Sequence, residues 1–163
     1  MKTAGAGGQG PGAGEPRGKV ESISHFRDLQ VWQRGMGIVQ SIYEISAGSP
    51  KAEIYGLTSQ LRRAAVSVPS NIAEGHTRAS TKEYLHHLSM AQASLAEVET
   101  QLELAARFKF ASSEELQPIQ AECGILSKQL YHLRDALEKR LRRIPGPQSL
   151  APGPQTEAPG PNF

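Results

Sequence analysis

The strongest constraint on the fold is a seven-residue repeat of apolar side chains in the second half of the chain. One series has spacings of four and three residues: Tyr84, Leu88, Ala91, Leu95, Val98, Leu102 and Ala105. A second series has spacings of three and four: Leu116, Ile119, Cys123, Leu126, Leu130, Leu133 and Leu137. These spacings place each series on one face of an α-helix. The repeats therefore predict two amphipathic helices that pack along one another.

The first half of the chain carries two further apolar series with helical spacing. Together with the start and stop signals, the patterns predict helices over about residues 27–46, 52–75, 81–108 and 113–143. "STKE" and "SSEE" are typical of capping boxes, at Ser80 and Ser112, and Gly75 is typical of a helix end. Heptad spacing and short connections predict an all-α fold, an antiparallel up-down-up-down, left-handed four-helix bundle over residues 22–144.

The two ends of the chain, residues 1–21 and 145–163, lack this pattern. Residues 1–18 contain seven glycines, and residues 145–163 contain six prolines. Such segments bury too little apolar surface to offset the entropy lost on ordering. We predict two disordered Gly/Pro-rich tails, and we favour spacers over ligands for proline-binding domains.

Composition indicates a cellular compartment, but it does not identify a binding partner. The net charge of +2 and the pI of about 8.8 indicate no partner by themselves. The single cysteine, Cys123, excludes an intramolecular disulfide framework and a multi-cysteine zinc site. No apolar run reaches the length of a membrane span, and the first residues do not read as a signal peptide. We expect a soluble, cytoplasmic protein with no membrane partner.

The first predicted helix has two apolar stripes, which is one more than a bundle core needs. The first stripe is Leu29, Trp32, Met36, Val39 and Tyr43. The second is Val31, Ile38, Ile42 and Ile45. We predict that the first stripe fills the core and that the second forms an interface between subunits of a homo-oligomer. The alternative is a first helix that is buried more deeply than the others.

A proline interrupts the stripe of the second helix, within "SVPSNIAEG" at residues 67–75. Pro69 has no N–H for the carbonyl group four residues earlier, and its ring crowds that carbonyl. The stripe that ends at Val68 continues to Asn71 rather than to Ile72, so its phase changes at the proline. We predict a structural kink at Pro69 and Asn71 rather than a catalytic loop.

The sequence offers little catalytic chemistry. Glu83 and His86 form one Glu-x-x-His element, but a di-iron bundle needs two, and the chain has no second one. Cys123 lies on an apolar stripe and is interpreted as a buried structural residue. We therefore expect no enzymatic activity, no catalytic or metal-binding residues and no cofactor.

The most distinctive charges lie in "RDALEKRLRR", residues 134–143. Five basic residues oppose Asp135 and Glu138, a net charge of +3: Arg134, Lys139, Arg140, Arg142 and Arg143. Cations at a helix C-terminus complement the helix dipole, so their presence requires no ligand. In an oligomer the cluster repeats, and multivalent phosphate binding becomes a reasonable hypothesis. Arg62 and Arg63 form a second basic pair, which we add to the candidate nucleic-acid contacts.

Four segments together resemble one known family. They are "FRDLQVWQ", "IYGLTSQLRRAAVSVPSNIAEG", "STKEYLHHLSMAQASLAEVETQLELA" and the leucine-rich last helix. They are similar to the four-helix bundle family of 23S rRNA-intervening-sequence proteins over residues 26 to about 141. The resemblance implies an up-down-up-down bundle that assembles as a homopentameric ring. It also extends to accessory variability-determinant proteins of diversity-generating retroelements, which are basic pentamers that bind a reverse transcriptase and nucleic acid.

Two functions remain open from the sequence. The first is a non-enzymatic homo-oligomer that binds RNA, DNA or a ribonucleoprotein partner through its repeated basic helix ends. The second is a protein-protein scaffold ring, with a reverse transcriptase or another protein as its partner and no nucleic acid. The two differ in salt response, because phosphate binding weakens steeply as salt rises.

Overall fold

The computed structural model describes residues 24–48 and 56–143. A single 3₁₀ turn, Phe26–Asp28, precedes four α-helices: α1 Gln30–Ser46, α2 Leu57–Thr77, α3 Thr81–Arg107 and α4 Ser113–Arg143. The predicted all-α four-helix fold is confirmed. The first helix begins three residues later than predicted, because residues 26–28 form the separate turn. Both predicted tails and residues 52–55 of the predicted second helix lie outside the described residues.

Each of the four helices packs against two others, as in a four-helix bundle. In the described part of the chain, α1 packs on α2, α2 on α3, α3 on α4, and α4 on α1, with no contact across the diagonals. Side-chain contacts give the directions. Arg62 near the start of α2 bonds Ser46 at the end of α1, and Arg134 late in α4 bonds Gln92 early in α3. Neighbouring helices therefore run antiparallel, up-down-up-down, as predicted.

The core follows the heptad stripes of α3 and α4. Side chains that are fully or almost fully buried come from all four helices: Ile42, Ile72, Leu88, Leu95, Val98, Leu102, Leu116, Cys123, Leu126 and Leu130. The outer faces of the helices carry the charged side chains together with a few exposed apolar ones, such as Met36 and Tyr131. Accordingly, over residues 24–48 and 56–143, no helix combines the length and the apolar character needed to cross a bilayer.

The assignment of the two stripes of α1 was wrong. Val31, Ile38 and Ile42 are buried in the core, and Ile45 packs against it, so these side chains are not free to meet another subunit. The more exposed stripe is the one that contains Met36 and Tyr43, which are 43% and 45% exposed. The alternative, a first helix that is buried more deeply than the others, holds only for the stripe that contains Val31.

Gly35 is buried on the same face of α1 as the Val31 stripe. A Cβ atom built on it would lie 3.4 Å from the Cβ of Pro69, an ordinary contact distance. Pro69 of α2 therefore packs directly against α1 at this glycine. Pro69 itself lies inside a continuous α2, and it is buried. The predicted kink stays a prediction, whereas the catalytic-loop reading does not agree with the helix.

Two short polar side chains that follow Pro69 donate hydrogen bonds to backbone carbonyls that precede it. The Ser70 hydroxyl donates to the carbonyl of Val66 at 2.8 Å, and the Asn71 amide donates to the carbonyl of Ser67 at 2.9 Å. Both bonds return to the carbonyl four residues earlier, within the turns that the proline weakens. Asn71 is a buried part of α2.

The ends of three helices test the predicted caps. The capping box at Ser112 is confirmed, because Ser112 N–H donates to Glu115 Oε2 at 2.9 Å and Glu115 N–H donates to Ser112 Oγ at 3.3 Å. Ser80 precedes α3, but its side chain makes no cap hydrogen bond, and nothing in the structure explains the difference. Gly75 is not the end of α2, which continues to Thr77.

The end of α3 is a Schellman motif that uses a lysine. Phe110 N–H donates to the carbonyl of Ala105 and Lys109 N–H to that of Ala106, which is the paired pattern of this motif. Lys109 has a φ of 57°, the left-handed conformation that usually belongs to glycine. The turn brings the rings of Phe108 and Phe110 to 5.6 Å and directs the chain into α4.

Candidate nucleic-acid interface

Three of the five basic residues at the end of α4 already have partners within the subunit. Arg134 donates to Gln92 Oε1 at 2.6 Å and lies 3.6 Å from Glu138, so it pins α4 to α3. Lys139 donates to Asp135 at 2.7 Å, and this hydrogen bond raises the pKa of Lys139. Arg142 lies 3.6 Å from Glu138. For Arg134 in particular, the structure favours a role in helix pairing over phosphate binding.

Arg140 and Arg143 are the cations that remain. Both side chains are exposed, and neither has an ion pair or hydrogen bond among the described residues. They are three residues apart, so they lie on the same side of α4. Of the predicted cluster, these two residues are the ones most available to an anionic partner.

Arg62 and Arg63 are not part of the same surface. Arg62 donates to Ser46 Oγ at 2.8 Å, and its guanidinium lies 4.7 Å from the centre of the Tyr43 ring. Arg63 donates to Gln60 at 2.6 Å. Because the start of α2 lies beside the end of α1, this pair is at the opposite end of the bundle from the end of α4. The two basic groups that we had combined are therefore separate.

Charge is distributed unevenly along α4. Residues 113–127 carry three acidic residues and no lysine or arginine, a net charge of −3. Residues 128–143 carry six basic and two acidic residues, a net charge of +4. Both signs complement the helix dipole. The consequence is a bundle in which the basic charge of α4 is concentrated in its second half.

A polar network at the α2–α3 interface was missed by sequence reasoning. His87 Nε2 accepts a hydrogen bond from Arg78 Nε at 3.2 Å, so a neutral ring carries its proton on Nδ1. That nitrogen lies 3.5 Å from Asn71 Oδ1 and 3.6 Å from Glu74 Oε2. The available signal was the four-residue spacing of Asn71 and Gly75, which places both on the face of α2 that meets α3.

The network extends through Ser67 and ends at α3. The Asn71 amide also donates to Ser67 Oγ at 3.0 Å, and Ser67 Oγ lies 2.9 Å from Ser94 Oγ. Nearby, burial raises the pKa of Tyr84 to about 12. The hydrogen-bonded groups of this network join two helices, whereas the buried hydroxyl of Tyr84 has no hydrogen-bond partner among the described residues. No side chain of the network has the arrangement of a nucleophile with its base.

A groove between α1 and α4 has a volume of about 600 Å³. Arg34 spans it, bonding Glu122 and, at 3.0 Å, Gln129. Arg34 and Glu122, which both line the groove, therefore pair with each other across it. Within residues 24–48 and 56–143, no group of three or more His, Cys, Asp or Glu side chains is arranged to hold a metal ion.

An exposed apolar strip runs over α1 and α2, which we call the α1–α2 surface. Its members are partly or largely exposed: Trp32, Met36, Val39, Tyr43 and Val66. The four on α1 share one stripe, and Tyr43 and Val66 border the same shallow depression. The chemistry of this strip suits contact with another apolar surface.

Comparison with known proteins agrees with the fold and with the resemblance read from the sequence. One similar solved structure is a protein of unknown function from the S23 ribosomal protein family of Bacteroides thetaiotaomicron VPI-5482. It is 20% identical with a TM-score of 0.58, and the match covers 64% of this chain and 97% of that chain, which shows the fold alone. No curated protein matches the chain. The family model of the 23S rRNA-intervening sequence protein matches residues 27–132, more than half of the chain. The chain therefore belongs to the family of 23S rRNA-intervening sequence proteins.

Proposed function

We propose that the protein is a non-enzymatic homo-oligomer that binds nucleic acid, or a ribonucleoprotein partner, through the repeated basic ends of its α4 helices. The observation that carries the proposal is the exposure of Arg140 and Arg143 without partners among the described residues. Arginine side chains in this state are suited to phosphate oxygens, which they contact without reading the base sequence.

Assembly is supported by the α1–α2 surface. Met36, Tyr43 and Val66 are each more than 40% exposed on adjoining helices. Burying such side chains against a second copy removes apolar area from water, at about 25 cal/mol per Å². The family resemblance suggests the number of subunits, five. A ring would repeat the basic end of α4 five times, and linked weak contacts raise avidity by about 10² to 10⁴ when the geometry allows simultaneous binding.

The setting of this function is also a proposal. We place the protein in the cytoplasm, where a single reduced cysteine is stable. The resemblance to retroelement accessory proteins suggests a reverse transcriptase as one protein partner. RNA and DNA are both candidates for the nucleic acid, because phosphate contacts alone distinguish them little.

A second candidate function is a scaffold ring that binds only protein. It is favoured by the internal pairing of Arg134, Lys139 and Arg142, which leaves two unpaired arginines per subunit in the cluster. It is also compatible with the α1–α2 surface, which can meet a different protein as readily as a second copy.

The test compares the wild type with Arg140→Gln/Arg143→Gln in the full chain. Light scattering gives the mass of both proteins, and fluorescence anisotropy measures binding to labelled RNA and DNA at about 0.15 M salt. The control is Arg107→Gln/Lys109→Gln, which removes the same charge from exposed residues at the opposite end of the bundle.

The proposal expects an oligomeric wild type whose binding weakens as salt rises, because bound phosphates release counterions. It also expects a weaker Arg140→Gln/Arg143→Gln variant and a control close to wild type. A wild type that binds neither RNA nor DNA would favour the scaffold function. A monomeric mass would refute the assembly.

A further inference from the structure

We infer that the nucleic acid bound by α4 is single-stranded and that it follows the outer face of this helix from Lys128 to Arg143, with a base stacked on Tyr131. The inference rests on the proposed function and deepens it. It adds a path, a strandedness and a stacking residue to a surface that so far contained only helix-end arginines.

The path is a row of exposed basic side chains along the second half of α4. We call it the outer stripe of α4: Lys128, His132, Lys139 and Arg143. The members recur at intervals of four, seven and four residues, which are close to whole helical turns, so they share one side of the helix. From Lys128 to Arg143 the stripe is about 22 Å long at 1.5 Å per residue. Several consecutive phosphates fit along such a length.

The two acidic residues of this half of α4 are both paired with basic side chains of the same helix. Glu138 is only partly exposed and lies within 3.6 Å of Arg134 and Arg142, on the side that meets α3. Asp135 is bonded by Lys139. Both carboxylates are paired, and the positive charges of the stripe that remain unpaired within the described part of the chain are those of Lys128 and Arg143.

Tyr131 adds an exposed aromatic ring beside the basic side chains of the outer stripe. At 64% it has the largest exposed fraction of the exposed large apolar side chains in the described residues. Its ring lies 5.7 Å from that of His132, and Lys128 is one turn earlier on the same row. An exposed aromatic ring among cations is the usual platform on which proteins stack an unpaired base. A duplex keeps its bases paired and stacked, and cannot use this ring.

The experiment measures binding of the full chain to two labelled probes, an oligouridine of about 20 nucleotides and an RNA duplex of the same length. The variants are Tyr131→Ala, Tyr131→Phe and Lys128→Gln/His132→Gln. Phe108→Ala is the control for loss of an exposed aromatic ring, because Phe108 is 58% exposed at the opposite end of the bundle. Circular dichroism and oligomer mass identify any variant that fails to fold.

We expect the wild type to bind the oligouridine more tightly than the duplex. Tyr131→Ala should weaken oligouridine binding about ten-fold and duplex binding less than about two-fold, because only an unpaired base stacks. Tyr131→Phe should bind like the wild type, and so should Phe108→Ala. Lys128→Gln/His132→Gln should weaken oligouridine binding.

Three results would overturn the inference: preference for the duplex, normal oligouridine binding by folded Tyr131→Ala, or normal oligouridine binding by folded Lys128→Gln/His132→Gln. If Arg140→Gln/Arg143→Gln still weakens binding in those cases, the proposed function stands and only the path and strandedness are wrong. If the wild type binds neither probe, the proposed function fails together with the inference.

Discussion

Gly75 and Tyr84 are in direct contact across the α2–α3 interface. A Cβ atom built on Gly75 would lie 2.7 Å from Cδ2 of Tyr84 and 2.8 Å from Cβ of His87. Both distances are shorter than carbon atoms tolerate without movement. The distance between α2 and α3 at this level is therefore set by the absence of a side chain at position 75.

Gly75→Ala should destabilise the protein by about 1–3 kcal/mol, the usual cost of overpacking. This cost opposes the gain of about 1 kcal/mol that alanine brings to a helix interior. Gly37→Ala is the matched control, because nothing lies within 4 Å of its added Cβ, and it should be stabilising. Urea unfolding of both variants measures the difference. Equal stabilities for the two variants would mean that the helices separate at Gly75 without cost.

Lys109→Gly should stabilise the protein by roughly 1 kcal/mol. Lys109 has a positive φ at the end of α3, and a side chain in that conformation costs about 1–2 kcal/mol that glycine avoids. The entropy of glycine in the unfolded chain offsets part of the gain. Lys109→Ala removes the same charge and keeps the strain, so it should be no more stable than the wild type. Thermal unfolding measures the stability of both variants. If Lys109→Ala were stabilised as much as Lys109→Gly, the effect would come from removal of the charge.

Glu115→Gln should lower stability at neutral pH and much less in acid. The backbone N–H and then the hydroxyl of Ser112 hold the pKa of Glu115 below its ordinary value. A carboxylate with a lowered folded-state pKa stabilises the protein above its unfolded pKa, and the contribution disappears as pH falls through the folded pKa. Urea unfolding from pH 7 to about 3 should show the gap between variant and wild type closing. Glu114→Gln, in the same turn but outside the capping box, should show less of this dependence on pH.

Cys123 should not react with thiol reagents in the folded protein. Burial, followed by the charges of Glu99 and Glu122, raises its pKa to about 12, so the nucleophilic thiolate is scarce at ordinary pH. Ala136→Cys places a thiol at an exposed position and is the positive control. A disulfide reagent such as DTNB should label one thiol of that variant at once, and Cys123 only on unfolding. Rapid labelling of the native wild type would show that the core opens at Cys123.

Sequence periodicity predicted α3 and α4 well because each has one apolar stripe. Leu88, Leu102 and Leu130 are fully buried as their heptad positions required. The prediction failed on α1, which has two apolar stripes, because apolar content does not show which of the two is buried. Gly35 belongs to the buried face of α1 without adding to its apolar count, and Pro69 packs against it.

The candidate nucleic-acid interface shows a different limit of prediction from sequence. The sequence located the basic residues of α4, because local composition is enough to find a charge cluster. It did not separate Arg140 and Arg143 from Arg134, because the partner of Arg134 is Gln92, 42 positions away on another helix. The same holds for Arg62, whose bond to Ser46 places it at the other end of the bundle. Pairing across helices depends on the fold and leaves no mark on residue spacing.

The short connection between α2 and α3 has a kinetic consequence. These helices share the most extensive contact in the bundle, and only residues 78–80 join them. Closing a short loop costs little chain entropy, so this hairpin is the part of the molecule that can form first. Ile72→Val on α2 and Ile42→Val on α1 delete the same methyl group from fully buried positions. In chevron experiments, Ile72→Val should slow folding, whereas Ile42→Val should mainly speed unfolding, so that α1 completes the bundle after the rate-limiting step.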